Sequence, residues 1–183
     1  LWRNAKNNSG IISSNVTPQL VGQALKQEYP EVEGASRVFW DEILLFSRGD
    51  KKINIRGTMT DPDFLTMFDF PLLEGNRAKA LTEPTQIVLT EKTAKTFFGD
   101  EDPMGKMLRI DNKYDFKVSA VLKDLPNNTQ FDFEFILPWS YLRNRQDPTD
   151  SLWGKNSIRN YVLLKPHTDL AAFNAKTKDI YAK

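Results

Sequence analysis

The middle of the chain alternates between apolar and polar positions, a pattern typical of β-strands. Between Tyr114 and Lys123 every second side chain is apolar, and the side chains between them are mostly polar or charged. Successive side chains of a strand point to opposite faces, so this pattern predicts one buried and one solvated face. Segments rich in β-branched and aromatic residues predict further strands at 35–39, 42–47, 52–59, 86–89, 106–110, 131–137 and 159–164.

Apolar residues spaced three and four apart predict four helices. The first is expected at 17–29 and the second at 61–68. The third follows Thr90, whose side chain is expected to accept a hydrogen bond from a free amide of the first turn, and it ends at Gly99. The last starts at Asp169 and is expected to bury one stripe of residues, Leu170, Phe173, Thr177 and Ile180.

The segment 85–126 resembles the extracytoplasmic core domain of MacB-type and FtsX-like ABC transporter permeases. Its central part reads IVLTEKTAKTFFGDEDPMGKMLRI; FDFPLLEGN lies before it and VSAVLKDLPNNTQFDFEFILP after it. TPQLVGQALKQEYPEVE at 17–33 is similar to the first helix of the same domain, and the match extends into NYVLLKPHTDLAAFNAK at 160–176. The resemblance marks seven positions as family-motif residues with a structural role: Pro71, Gly75, Thr90, Phe98, Gly99, Pro103 and Gly105.

The order of strands and helices favours an α+β fold over a doubly wound parallel sheet. The resemblance implies that residues 1–183 form one extracytoplasmic core domain of two lobes. The larger, Porter-like lobe consists of βαβ units from 16–81 and 131–183. The smaller, mixed, Sabre-like lobe is inserted at 82–130. Short polar joints at 82–84 and 127–130 are expected to act as a hinge between these lobes.

The resemblance also implies where the domain works and with what. In such permeases it is inserted between the first and second transmembrane helices, which places it in the periplasm of an inner-membrane protein. It would be non-catalytic and would couple ATP-driven movement of the transmembrane helices to export or other extracytoplasmic work. The implied partners are its own transmembrane helices, a cytoplasmic ABC ATPase and a second permease copy, with a periplasmic adaptor and an outer-membrane channel in MacB-type efflux pumps.

Composition excludes several other classes of function. The 183 residues carry a formal net charge of +1, and no basic tract interleaved with aromatic residues is present, so nucleic acid is not an expected partner. The chain has no cysteine, which excludes thiol nucleophiles, disulfides and thiolate metal sites. No apolar run approaches the roughly 20 residues that span a bilayer. The remaining features suit a folded domain with a sizeable core.

The sequence offers no convincing catalytic, cofactor or metal site. His167 is the only histidine and lies between a predicted strand and a predicted helix, where a loop role is the simpler interpretation. The acidic run Asp100 to Asp102 lacks the ligand spacing of a calcium loop. Gly99 and Gly105 are separated by five residues rather than the four of a phosphate-binding loop. An enzyme is therefore the weakest hypothesis, and no cofactor is expected.

Aromatic residues provide the candidate contact sites. Phe131, Phe133 and Phe135 could line a groove for a peptide or lipid, although a sheet core is the simpler interpretation of aromatic residues at every second position. The tentative exposed contacts are Trp139, Tyr141 and Trp153, the last within a polar loop expected at 146–157. The alternative function is a self-contained module of the cell envelope that binds or senses a peptide or lipid.

Overall fold

The computed structural model describes residues 1–7, 10–145 and 156–180. The chain divides into two compact units: a terminal unit, Leu1–Phe39 with Gln146–Lys183, and a central unit, Trp40–Arg145. Both mix helices and strands, as the predicted α+β class requires. The boundaries of these units differ from those of the predicted lobes, 16–81 with 131–183 and 82–130, and the lobe boundaries stay a prediction.

The described elements follow one another as strands with interspersed helices. The strands are β1 (Arg3–Asn7), β2 (Gly10–Ser14), β3 (Thr17–Pro18), β4 (Val32–Val38), β5 (Glu42–Arg48), β6 (Lys51–Thr60), β7 (Leu72–Gly75), β8 (Gln86–Thr90), β9 (Met107–Ile110), β10 (Tyr114–Leu122), β11 (Phe135–Pro138) and β12 (Asn156–Leu164). The helices are α1 (Val21–Glu28), α2 (Phe64–Met67), α3 (Glu91–Phe98), α4 (Trp139–Arg145) and α5 (Leu170–Thr177).

The terminal unit combines a small antiparallel sheet with two helices. Strand β12 pairs with β4 along one edge and with β3 along the other. Helices α1 and α5 contribute to one apolar cluster with Val32 of β4, in which Val21, Leu25, Phe173 and Ile180 are buried. Strands β1 and β2 form a separate antiparallel hairpin, which the hydrophobic pattern did not predict.

The start of the first helix differs from the sequence prediction. Thr17 and Pro18 form the short strand β3 instead of the first helical turn, and α1 begins at Val21. The side-chain amide of Asn160 on β12 donates hydrogen bonds to the Thr17 hydroxyl oxygen (2.8 Å) and to the Pro18 carbonyl (2.9 Å). A partner more than 140 residues away in sequence therefore holds these two residues in extended conformation.

The strand pairings of the central unit close into a ring. Antiparallel pairs join β6 to β5, β5 to β9 and β9 to β10, and a parallel pair joins β10 to β8. Strand β8 then pairs antiparallel with β11, which returns to β6 in parallel. The six strands thus form a closed barrel without a free edge between them, and β7 adds to the end of β10.

Large aromatic side chains fill the central unit. Phe46 is fully buried, and its ring centroid lies 4.8 Å from that of Phe135 and 6.2 Å from that of Phe97 on α3. A second aromatic cluster surrounds the fully buried Phe64 of α2, whose neighbouring rings belong to Phe68, Phe70, Phe131 and Phe133. Phe131 and Phe133 are therefore core residues, as the simpler interpretation of the aromatic pattern had it.

Several element boundaries are corrected by the structure. The predicted strand at 131–137 begins only at Phe135, as β11, and Phe131 and Phe133 before it pack in the second aromatic cluster. Helix α2 is a single turn at Phe64–Met67 rather than a helix over 61–68. On α5, Phe173 is buried as expected, but Leu170 is 63% exposed, so it does not belong to the buried stripe.

Candidate functional site

The central unit has a surface cleft of about 380 Å³ between α3, residues 99–103 and β7. Leu73, Ala94 and Val121 contribute its apolar side. Its charged side chains are five carboxylates and one lysine: Glu74, Glu91, Asp100, Glu101, Asp102 and Lys95. The cleft is therefore strongly acidic.

Gly99 and Pro103, two of the seven positions predicted to have a structural role, line one wall of this acidic cleft, and Gly105 lies two residues further along the chain. Gly99 has φ +64° and ends α3, with its N–H donating to the Lys95 carbonyl at 2.8 Å. Asp102 accepts a hydrogen bond from the Met104 N–H at 2.8 Å, and Pro103 beside it is buried. Gly105, at φ +74°, donates to the Val118 carbonyl at 2.9 Å. A tight backbone turn thus presents the carboxylates of 100–102 at the surface.

Two cationic side chains, Arg48 and Lys106, form ion pairs with one of these carboxylates, Glu101. Arg48 donates to the Phe97 carbonyl at 2.9 Å and to Glu101 at 3.2 Å, and its guanidinium lies 4.6 Å from the ring centroid of Phe98. A hydrogen bond from Lys106, together with the charges of Lys106 and Arg48, lowers the pKa of Glu101 below its ordinary value. Glu101 is therefore tied to the fold, whereas its neighbours Asp100 and Asp102 extend from an exposed turn.

Three other positions predicted to have a structural role, Pro71, Gly75 and Thr90, lie in or next to the strands β7 and β8. Gly75 has φ +97°, and a Cβ at this position would lie 2.5 Å from the Ser119 carbonyl oxygen, so a larger residue would not fit beside β10. Pro71 is exposed, and its carbonyl accepts the Lys123 N–H at 2.8 Å. Thr90 occupies the N-cap position of α3 but makes no capping hydrogen bond. Its hydroxyl bonds the Thr93 hydroxyl at 3.1 Å instead, which corrects the predicted cap.

The terminal unit has a groove of about 640 Å³ that the sequence did not indicate; we call it the apolar groove after its floor, although Asn4, Asn174, Thr177 and Lys178 add polar side chains to its lining. Its buried floor is formed by Val21 and Leu25 of α1 with Phe173 and Ile180. Trp2, 69% exposed, lies at its border. The apolar spacing of α1 predicts a buried face, but only the packing of α1, α5 and the first residues of the chain leaves space between them.

The predicted aromatic contacts are not at the surface where the structure describes them. Trp139 and Tyr141 are 6% and 4% exposed, so the expectation that they are exposed is wrong. The ring of Tyr141 packs edge-on against Tyr114 (5.4 Å) and Phe116 (5.3 Å), because helix α4 follows directly on the buried strand β11. Trp153 lies outside the described residues.

His167, the only histidine of the sequence, lines neither the acidic cleft nor the groove of the terminal unit. His167 is exposed in the turn between β12 and α5, with φ +65°. Among residues 1–7, 10–145 and 156–180, no three histidine or carboxylate side chains are grouped so that they could hold a metal ion. None of the helices described is long and apolar enough to cross a membrane. The acidic cleft and the apolar groove are thus candidate surfaces for binding.

Comparison with known proteins provides a family for this architecture. A family model described as the MacB-like periplasmic core domain matches residues 3–180. A solved domain described as part of a permease from Porphyromonas gingivalis is 23% identical, with a TM-score of 0.78, and the match covers 93% of this chain and 79% of that one. No curated protein sequence matches.

Two further solved structures share the fold. The periplasmic region of MacB from Actinobacillus actinomycetemcomitans is 14% identical with a TM-score of 0.68, covering 92% of this chain and 76% of that one. The extracellular domain of the ABC-type transporter YknZ from Gram-positive bacteria is 15% identical with a TM-score of 0.59, covering 89% and 78%. Since the family model spans nearly the whole chain, this chain belongs to the MacB-like periplasmic core domains, the extracytoplasmic domains of ABC transporter permeases.

Proposed function

We propose that this domain transmits ATP-driven movement of the permease's transmembrane helices to work outside the membrane, without catalysing a reaction itself. The observation that carries the proposal is the family match over residues 3–180. ATP would be hydrolysed by a separate cytoplasmic ABC ATPase. The domain would act beside a second permease copy, with a periplasmic adaptor and an outer-membrane channel as further partners.

The architecture of the central unit supports a role in transmitting force. Its six paired strands close into a ring, so displacing one strand requires breaking hydrogen bonds to two neighbours. The pairs between β8 and β11 and between β9 and β5 join segments on both sides of the predicted hinge joints at 82–84 and 127–130. We therefore propose that the central unit moves as one body rather than opening at these joints.

Distance measurements in the full-length permease test the proposal. Residues 1–183 contain no cysteine, so once any cysteine elsewhere in the permease is replaced, Ile43→Cys provides one spin-label site per copy, at a side chain that is 62% exposed. The distance between labels of two copies is measured by pulsed electron resonance in liposomes, with and without ATP. We expect ATP to shift this distance by several ångströms, on the scale of domain movements in related switches.

A second labelled position and an inactive ATPase provide the controls. Leu170→Cys in the terminal unit is equally exposed, at 63%, and reports whether both units move. An ATPase variant that cannot bind nucleotide should abolish the shift at both positions. Unchanged distances at both positions in a permease that still hydrolyses ATP would contradict force transmission.

The apolar groove favours a second candidate function, the capture of a peptide or lipid. Its volume of about 640 Å³ lies within the range of small-molecule sites, and its floor is apolar. A ligand that binds only the folded domain raises the melting temperature progressively with its concentration. The melting temperature of the domain is measured with increasing concentrations of a fatty acid or of an apolar peptide. The Leu25→Ala variant, in which the floor of the groove is altered, is compared with the parent. Melting temperatures that do not respond to either probe would remove this candidate.

A further inference from the structure

The three most exposed large apolar side chains of the described residues all belong to the terminal unit. They are Ile11, Trp2 and Leu170, whose exposed fractions are 74%, 69% and 63%. Single exposed apolar side chains are common on protein surfaces, whereas a contiguous apolar surface marks a contact with a partner or a membrane. The position of these side chains relative to the apolar groove therefore decides their meaning.

Two of these side chains adjoin the apolar groove. Trp2 lies at its border. Leu170 lies one turn before Phe173 and Asn174 of α5, which line the groove, and residues three or four apart share one face of a helix. Leu170 therefore extends outward the wall that α5 contributes to the groove.

The groove lies where the two ends of the described chain meet. Leu1 and Trp2 line it from one end, and Lys178 and Ile180 line it from the other. This chain belongs to the extracytoplasmic domains of membrane permeases, and such a domain is joined to the membrane-spanning part of the permease through its chain ends. The groove is therefore the part of the terminal unit that we expect nearest to the bilayer.

The rim of the groove suits a phospholipid. Among the described residues that line the groove, Lys178 has the only charged side chain, and none has a carboxylate. An ammonium group attracts the phosphates of lipid head groups, whereas a carboxylate would repel them. The indole of Trp2 combines an apolar ring with one N–H donor, and this combination is enriched at the level of the head groups.

We infer that the apolar groove rests on the periplasmic surface of the permease's own bilayer, where acyl chains of phospholipids fill it. Trp2 and Leu170 insert at the boundary between head groups and acyl chains, and Lys178 contacts a lipid phosphate. Amphipathic surfaces of this kind enter only about 5–10 Å into the bilayer. The lipid thus covers the apolar side chains that are exposed at the groove and along α5.

This inference deepens the second candidate function, because it names phospholipid as the ligand class and the surrounding bilayer as its source. The two can fail separately. If a fatty acid raises the melting temperature of the domain while the groove does not contact the bilayer, the ligand site remains and only the membrane contact is refuted.

Spin-label accessibility in the full-length permease tests the membrane contact. After any other cysteine is replaced, Asn174→Cys places one label at the groove. Ala172→Cys, at an exposed position on the opposite side of the same helix, is the matched control. The permease is reconstituted in liposomes of phosphatidylcholine and phosphatidylglycerol, and the collisions of each label with oxygen and with a water-soluble nickel chelate are measured.

The ratio of the two collision rates identifies what fills the groove. Oxygen is apolar and concentrates among acyl chains, whereas the chelate remains in water. We expect the ratio of oxygen to nickel collisions to be at least about threefold higher at position 174 than at position 172. Equal ratios, typical of water, at both positions would overturn the inference. Low rates with both reagents at position 174 would show that protein fills the groove, either another segment of the permease or a second copy, and would overturn it as well.

Substitutions at the rim test the lipid contacts in the same assay, with the label at position 174. Trp2→Ser combined with Leu170→Ser should lower the ratio to that of the control position. Lys178→Glu should lower it about twofold or more, whereas Lys178→Arg, which keeps the charge, should leave it unchanged. Circular dichroism of each variant checks folding. An unchanged ratio in folded Lys178→Glu and in the folded double variant would overturn the inference.

Discussion

Asn160 and Gly22 are so close that the helix α1 has no space for a side chain at position 22. The Gly22 N–H donates to the Asn160 side-chain oxygen at 3.2 Å, and a Cβ on Gly22 would lie 2.5 Å from the same oxygen. Asn160 is 1% exposed, and its amide also donates to Thr17 and Pro18. One buried amide thus joins β12 to β3 and to the first turn of α1.

We expect Gly22→Ala to destabilise the chain by roughly 1–3 kcal/mol, the usual range for overpacking a buried site. The added methyl group must displace the Asn160 amide and weaken three hydrogen bonds together. Urea unfolding followed by circular dichroism measures the change. Gln27→Ala on the exposed side of the same helix should change stability by less than about 0.5 kcal/mol. Equal effects of the two variants would contradict the close contact.

Gly57 of β6 is predicted to be intolerant of alanine as well. A Cβ there would lie 2.5 Å from a ring carbon of Phe135 on the parallel neighbour β11. Separating these strands would open the barrel, so Gly57→Ala should cost about 3 kcal/mol or more. Gly49 in the β5–β6 turn has φ +58° and no atom within 4 Å of a built Cβ, so Gly49→Ala should cost only about 1 kcal/mol. The same unfolding measurement should rank the two variants in this order.

Truncating Phe64 should remove the centre of the second aromatic cluster. Phe64 is fully buried, with the rings of Phe68 and Phe131 at 4.9 and 5.3 Å. We expect Phe64→Ala to cost about 3–5 kcal/mol because of the lost burial and the cavity that remains. Ile43→Ala, which removes an exposed side chain of the same unit, is the control. A change below about 1 kcal/mol for Phe64→Ala would contradict the packing described.

Arg77 should not be replaceable by lysine. Its guanidinium donates to the carbonyls of Leu65 (3.3 Å), Phe68 (3.4 Å) and Phe70, and so holds the chain after α2. A lysine lacks the planar fork that reaches several carbonyls, so Arg77→Lys should cost roughly 1–3 kcal/mol. Arg56→Lys, at the exposed ion pair with Asp132, should be nearly neutral. Unfolding curves of the two variants provide the comparison.

The ion pair of Arg109 and Asp115 should give a small, pH-dependent contribution to stability. These residues lie opposite each other on β9 and β10, and two hydrogen bonds of 2.8 Å join them. The hydrogen bonds from Arg109, aided by its charge, lower the pKa of Asp115. The contribution is therefore present above the unfolded pKa and is lost as the pH falls through the folded pKa.

The Asp115→Asn variant tests this predicted loss of stability on acidification. The variant should be less stable than the parent at neutral pH, and the difference in stability should shrink as the pH falls through the lowered pKa of Asp115 in the folded protein. Salt should narrow the difference at neutral pH, because both side chains are half exposed. Unfolding at several pH values measures the effect, and a difference that grows on acidification would contradict the lowered pKa.

The sequence by itself determined the local elements whose signals are local. Strand β10 follows from the alternation of apolar and polar side chains, and helix α3 from apolar residues spaced three and four apart. The turn at Gly99 follows from a residue that tolerates positive φ. The order of the sequence motifs along residues 85–126 also indicated the family, and the match of the family model to residues 3–180 confirmed it. Buried Phe131 and Phe133 agree with the period-two aromatic pattern, although the strand they were assigned to begins only at Phe135.

Tertiary structure decided everything that depends on distant partners. Thr17 and Pro18 became a strand because Asn160 binds them, and Trp139 and Tyr141 became buried because α4 continues from a buried strand. The closure of six strands into a barrel depends on β11 pairing with both β6 and β8, and periodicity within a strand contains no information about which strand lies beside it. The acidic cleft likewise brings Glu74 of β7 together with Asp100 and Asp102 of the turn after α3, a juxtaposition that only packing creates.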